Sequence, residues 1–152
     1  VAGFNYDAIL PTGLTNDMVV VGYGASELED LLEDELVKSG RYINPDPNPE
    51  KGYFYRSDHI SFAKRGVPVL YADGGFDLVD GGREIGFIIE EQYRLDAYHG
   101  VDDEYDENWN LDGLNQSIDV IFNISNELAN SPQWPNWYEG NEFKAIRDLS
   151  RP

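Results

Sequence analysis

The chain holds 152 residues, with 29 acidic and 11 basic side chains for a formal net charge of −18, two histidines (His59 and His99) and no cysteine. That length suits one domain with a real core, and 41% hydrophobic residues with 13% aromatic indicate a globular chain, not a disordered one. The acidity argues against nucleic acid, whose affinity comes from Lys and Arg on phosphates; anionic membranes would repel the chain, no apolar run nears the roughly 20 residues a bilayer span needs, and disulfides and thiolate metal sites are excluded.

Val1-Ala2-Gly3-Phe4 leads straight into an apolar stretch, Phe4 to Leu10, which reads as a strand ending in the turn Pro11-Thr12-Gly13. Terminal residues are usually loosely held, so a strand this close to the first residue suggests a piece of a longer protein. Met18 to Gly22 is a continuous apolar run and suits a strand covered on both faces. A capping box follows, with Ser26 as N-cap and Glu29 three residues on. It opens a helix whose apolar stripe is Leu28, Leu31, Leu32 and Leu36 and whose end is marked by Lys38 and Gly40. Its many carboxylates read as a solvated face.

Asn44-Pro45-Asp46-Pro47-Asn48-Pro49 reads as a stiff surface connection, because three prolines remove donors and fix φ. Ser57 is placed to cap a short helix running to Arg65, and Val67 to Tyr71 reads as a strand. Asp73 to Arg83, with four glycines, reads as a loop. Asp112 is expected to cap the longest helix, with apolar positions Leu114, Ile118, Ile121, Phe122 and Leu128; Asn141 would cap a last one through Leu149. Strands alternating with helices predict an α/β domain over residues 1–152 with a mixed, largely buried sheet flanked by helices.

Few residues carry chemistry on their own. His99 sits in Ala97-Tyr98-His99-Gly100-Val101-Asp102-Asp103-Glu104. One imidazole among carboxylates suits zinc, which takes N and O ligands, but from spacing alone a surface histidine in an acidic loop is the better account. Ser57-Asp58-His59 is adjacent in sequence, whereas triad members converge from different elements, so capping explains Ser57 and Asp58 first. Glu90-Glu91 ends an apolar run and reads as a solvated pair. Asn108 to Asp119 has the outline of a calcium loop but lacks its first aspartate and its bidentate glutamate. Trp134-Pro135-Asn136-Trp137-Tyr138 reads as a tail packed on the core.

The order of the segments says more. Asn5-Tyr6-Asp7, then Tyr55-Arg56-Ser57-Asp58-His59-Ile60-Ser61-Phe62 with Gly66-Val67-Pro68-Val69-Leu70, then Tyr98-His99 with Asp103, resembles the C-terminal part of the M28 family of zinc peptidases. The likeness extends to the Trp-Pro-x-Trp tail. It implies part of an α/β/α sandwich from a two-zinc aminopeptidase, which cleaves N-terminal residues from peptides with a metal-activated water. By resemblance Asp7 would bind one zinc and His99 the other. Asn5, Ser57, Asp58, Tyr98 and Asp103 would support the site from behind the ligands. The general-base glutamate and the remaining ligands are expected upstream, since Glu90-Glu91 follows the Asn-x-Asp strand and cannot supply them. The chain alone is therefore expected to be inactive, and the intact protein to be exported, to the periplasm or outside the cell, as many relatives carry leaders. A single-zinc glutaminyl cyclase and a non-catalytic acidic binding module on the same fold are the alternatives.

Overall fold

The computed structural model describes residues 1–7 and 10–150. Its sheet has four strands, β1 (Gly3–Asn5), β2 (Asp17–Val20), β3 (Tyr42–Pro45) and β4 (Val69–Gly74), in the order β1-β4-β2-β3. β1 runs parallel to β4, β4 antiparallel to β2, and β2 parallel to β3, so the sheet is mixed, as expected. Pairing sets Phe4 beside Leu70 and Val20 beside Ala72, while Asn5 pairs with Tyr71 and Val19 with Asp73. Alternation along each strand sends these two sets to opposite faces.

The first face is the core. Met18, Val20, Leu70 and Ala72 pack against Leu28, Leu32 and Leu36 of α1 (Leu28–Lys38) and against Val120, Ile124 and Leu128 of α5 (Asp112–Ala129). The stripe of α5 differs from the expected one: Ile118 and Phe122 are exposed, and Val120 and Ile124 take their place. Expected and observed sets both keep a helical period, so the period alone does not choose the buried face. The second face meets α2 (Tyr53–Arg56), α3 (Ile60–Ala63) and the C-terminal segment, where Val21, Phe54, Ala63, Tyr71, Trp137 and Phe143 form a second core. Trp137 is buried and donates from Nε1 to the Gly66 carbonyl, so the tail does pack on the core.

Other expectations are corrected at element ends. β1 stops at Asn5, short of the expected Leu10; Ala8 and Ile9 of that stretch lie outside the described residues. β4 runs on to Gly74, past the expected Tyr71. Asn44 and Pro45 belong to edge strand β3, where a proline costs no ladder bond on its outer side. Ser57 is extended between two short helices and donates its hydroxyl to the Tyr53 carbonyl, closing α2 rather than opening a helix. Asp112 is the first residue of α5, and its N–H is held by Asn110 Oδ1. In the last turn, Asn141 Oδ1 accepts from the Phe143 N–H ahead of α6 (Lys144–Leu149). The largest miss is α4 (Gly82–Asp96), which takes in the Ile88–Glu91 region.

Half of the capping box at α1 forms. Ser26 caps nothing, but the buried Glu29 carboxylate accepts the backbone N–H groups of Gly24 and Ala25, both at 2.7 Å, and of Ser26 at 3.3 Å. Glu29→Ala leaves three donors without that acceptor and is expected to cost about 1–2 kcal/mol in urea unfolding. Ser26→Ala, by the same measurement, costs nothing through capping.

Candidate active site

β1 and β4 are parallel, so their carboxyl ends lie together, the usual place for ligands in α/β sheets. Asp7 follows β1, is exposed, and donates its backbone N–H to Asp73 Oδ1 at 3.3 Å. Asp73 lies near the end of β4, facing the second side of the sheet with Val19. Burial pushes its carboxyl up to about 8, the nearby Asp7 and Asp46 charges add to the rise, and the Asp7 N–H and Arg94 oppose it. Tyr71, one strand step back, is buried and pushed up to about 12, first by burial and then by Asp73; a hydrogen bond with Ser57 opposes this, and Asp7 and Tyr98 raise it further. Asp7 and Tyr98 thus lie within electrostatic reach of one tyrosine.

His99 is stacked on Tyr98, ring centroids 3.9 Å apart with planes 19° from parallel. It holds φ at +59°, the one non-glycine positive φ among the described residues. Histidine visits this region more than most residues, and the cost of holding it there is about 1–3 kcal/mol. Asp103 helps hold it: Oδ2 accepts the His99 N–H at 3.3 Å, while Oδ1 accepts the Tyr93 hydroxyl at 2.8 Å from the end of α4. Asp103 therefore supports the His99 backbone and not its ring. Arg94 completes the frame, bonded to Glu90 at 2.7 Å and lying 5.2 Å from the Tyr98 ring centroid and 5.5 Å from that of Tyr53.

Of the expected supporting residues, Asn5 lies in β1 beside Tyr71, and Ser57 reaches Tyr71. Asp58 is exposed, next to His59. His59 is buried between Phe54 and Tyr71, as a structural role requires. Glu91 is solvated, whereas Glu90 is half-buried and paired with Arg94, which corrects the reading of both as a solvated pair. Asp7 and His99 offer the O and N donors zinc takes. Among the described residues no group of three or more His, Cys, Asp or Glu side chains is placed to hold a metal ion. The donors present therefore fit part of a zinc site and not a whole one.

A narrow cleft of about 60 Å³ lies over this face, with Asp46, Tyr53, Asp73, Glu90 and Arg94 among its walls. Sequence reasoning missed most of these. A charged residue ending the buried run Val69–Ala72 was the available signal for Asp73. Glu90 and Arg94 arrive on α4, which is seated through Gly86: a Cβ there would overlap the Phe76 carbonyl oxygen. Phe76 and Phe87 stack alongside at 4.6 Å. Gly86→Ala is expected to lift α4, costing about 2 kcal/mol in urea unfolding, and to free Arg94 from Tyr98, which would show in the NMR shifts of both.

The model of Peptidase family M28 matches residues 1–125. The chain belongs to peptidase family M28. No curated protein and no solved structure matches it. The M28 match takes in Asp7, Ser57, Asp58, Tyr98, His99 and Asp103 and ends within α5, so the C-terminal segment with Trp137 and Glu142 lies outside it. As an M28 member the chain is a metallopeptidase domain, whose substrates are peptides. Among the described residues no helix is long and apolar enough to cross a membrane.

Proposed function

We propose that this M28 chain is the C-terminal part of an exported, zinc-dependent aminopeptidase, with Asp7 binding one zinc ion and His99 the other. What supports the reading is that Asp7, just after β1, and Tyr98, the ring partner of His99, both lie within electrostatic reach of Tyr71 on β4. Zinc, when bound, supplies a Lewis acid and lowers the pKa of water. The chain's own residues fix where that happens. Asp73 tethers Asp7 through its backbone, Asp103 holds His99 through its own, and Tyr98 limits the ring's orientation.

A co-catalytic pair holds its ions about 3.5–4 Å apart and needs a bridge and further ligands. Asp7 and His99 cannot supply these, and Glu90 is committed to Arg94. On this reading the general base and the other ligands come from residues outside this chain. The test is zinc-dependent hydrolysis of an aminoacyl-anilide by this chain and by the protein extended upstream of Val1. Turnover by the extended protein alone, with two zinc ions per site, is expected; one zinc per site would favour the cyclase. Steady turnover by the chain alone, or none by the extended protein, overturns the reading.

A further inference from the structure

The cleft over β4 does not end at Asp46 and Tyr53. These residues and Val21 also line a second, wider cleft of about 580 Å³ at the carboxyl end of β2. Its walls are aromatic: Tyr53 and Phe54 on one side, and Tyr23 and Tyr55, 55% and 59% exposed, toward solvent. Its charged members are Asp46, Glu139 and Glu142, and no Lys, Arg or His lines it. Asp46 accepts the Asn48 N–H, and Glu142 accepts the Tyr55 hydroxyl at 2.8 Å. Among the described residues none of the three carboxylates is in an ion pair.

We infer that this second cleft receives a lysine or arginine side chain of a peptide substrate. The walls suit the aliphatic stem of such a side chain, the ring faces attract its cation, and the carboxylates leave unmatched negative charge at its head. A hydrophobic side chain of equal length gains only the walls. An acidic one is repelled. The cleft joins the first one through Asp46, Tyr53 and Val21, and the Asp46 charge is felt at Asp73, which binds the Asp7 N–H. A few residues of extended peptide, at about 3.3–3.6 Å each, would therefore connect the two. The inference rests on the peptidase reading for the nature of the ligand. It does not follow from family membership, since Glu139 to Phe143 lie beyond the matched residues.

The experiment titrates this chain with alanine tetrapeptides in which lysine, norleucine or glutamate is moved through each position, followed by NMR. At one position lysine should bind about tenfold tighter than norleucine, with glutamate weakest and the lysine advantage shrinking as salt is raised. Glu139→Gln with Glu142→Gln should remove most of the lysine advantage, leaving the part due to Asp46 and the rings, and Tyr23→Ala should weaken both. All three residues are exposed, so the fold should survive, and circular dichroism checks this. Equal binding of lysine and norleucine at every position, or a preference undiminished in the double variant, overturns the inference. Asp7→Asn separates it from the reading beneath it. That variant lowers zinc affinity, read in the protein extended upstream of Val1, if Asp7 is a ligand, and must leave the lysine preference intact because Asp7 does not line the cleft. Loss of the preference in Asp7→Asn would place the cation elsewhere and defeat the inference. An unchanged zinc affinity would defeat the ligand assignment while the cleft's preference stood.

Discussion

His99→Ala is expected to lower zinc affinity at least about 10²-fold and zinc-dependent hydrolysis by no less, in the protein that carries the complete ligand set. Loss of a group behind a ligand already costs about 10–100-fold, so loss of the imidazole itself sets a higher floor. His99 is exposed, and its neighbours are Tyr98 and the Asp103 carboxylate that holds its backbone. Its removal loses the Tyr98 stack and leaves alanine at a positive φ, so it should cost about 1 kcal/mol while the cooperative unfolding curve is kept. That separation is the useful part: a variant that keeps its cooperative unfolding and loses zinc has lost a ligand and not a fold. Asp7→Asn makes the matching case on the other ion, with the Asp73 bond to its backbone retained. Asp103→Asn tests the positioning argument, because it weakens the brace on the His99 N–H while leaving both proposed ligands in place. A smaller loss than His99→Ala is expected there, of about tenfold. Zinc affinity is read by competition with a chelator. Undiminished affinity in His99→Ala would remove the imidazole from the proposed site.

Much of this molecule is legible in its sequence where one physical signal acts alone. The apolar run Met18–Val21 and Leu28, Leu32 and Leu36 of α1 are buried as their spacing requires, with Leu31 half-buried beside them, and the Trp137 tail packs on the core. Misreadings arise where two signals compete. α4 carries Gly86 within an apolar run ending in two glutamates, which looks like a poor helix until Phe76 is seen to demand a residue without a side chain at that point. Glu29 looks like half of a capping box and is the half that forms, because the loop Gly24–Ser26 brings three backbone N–H groups onto its carboxylate. For the site, the order of short segments pointed to Asp7 and His99. It could not show Asp73, Arg94 or Asp46, whose role depends on register between β2 and β4 and on where α4 and the loop after β3 come to rest. Spacing along one chain carries no record of such long-range placement.

Lowering the pH below about 6.5 is expected to weaken the fold on a slope to which His59 contributes. The side chain is 3% exposed, with its ring 4.6 Å from Phe54 and 5.2 Å from Tyr71, and neither ring nitrogen has a hydrogen-bond partner among the described residues. Burial therefore pushes its pKa below the ordinary value, with the neighbouring Asp58 carboxylate opposing the shift. In the unfolded chain the imidazole takes a proton near pH 6.5. The folded protein refuses that proton until the pH is lower, so between the two values the unfolded state binds more protons and stability falls as pH falls. The slope reaches about 1.4 kcal/mol per pH unit at most and vanishes above pH 6.5, where both states are neutral. His59→Phe keeps a ring between Phe54 and Tyr71 and removes the titration, while every carboxylate that also responds to acid is unchanged. The difference between the two proteins in urea unfolding isolates the imidazole: wild type should lose more stability than the variant on going from pH 7 to pH 5. Parallel losses would mean that His59 is charged in the folded protein. That would require a partner for its ring nitrogens that Phe54 and Tyr71 do not provide.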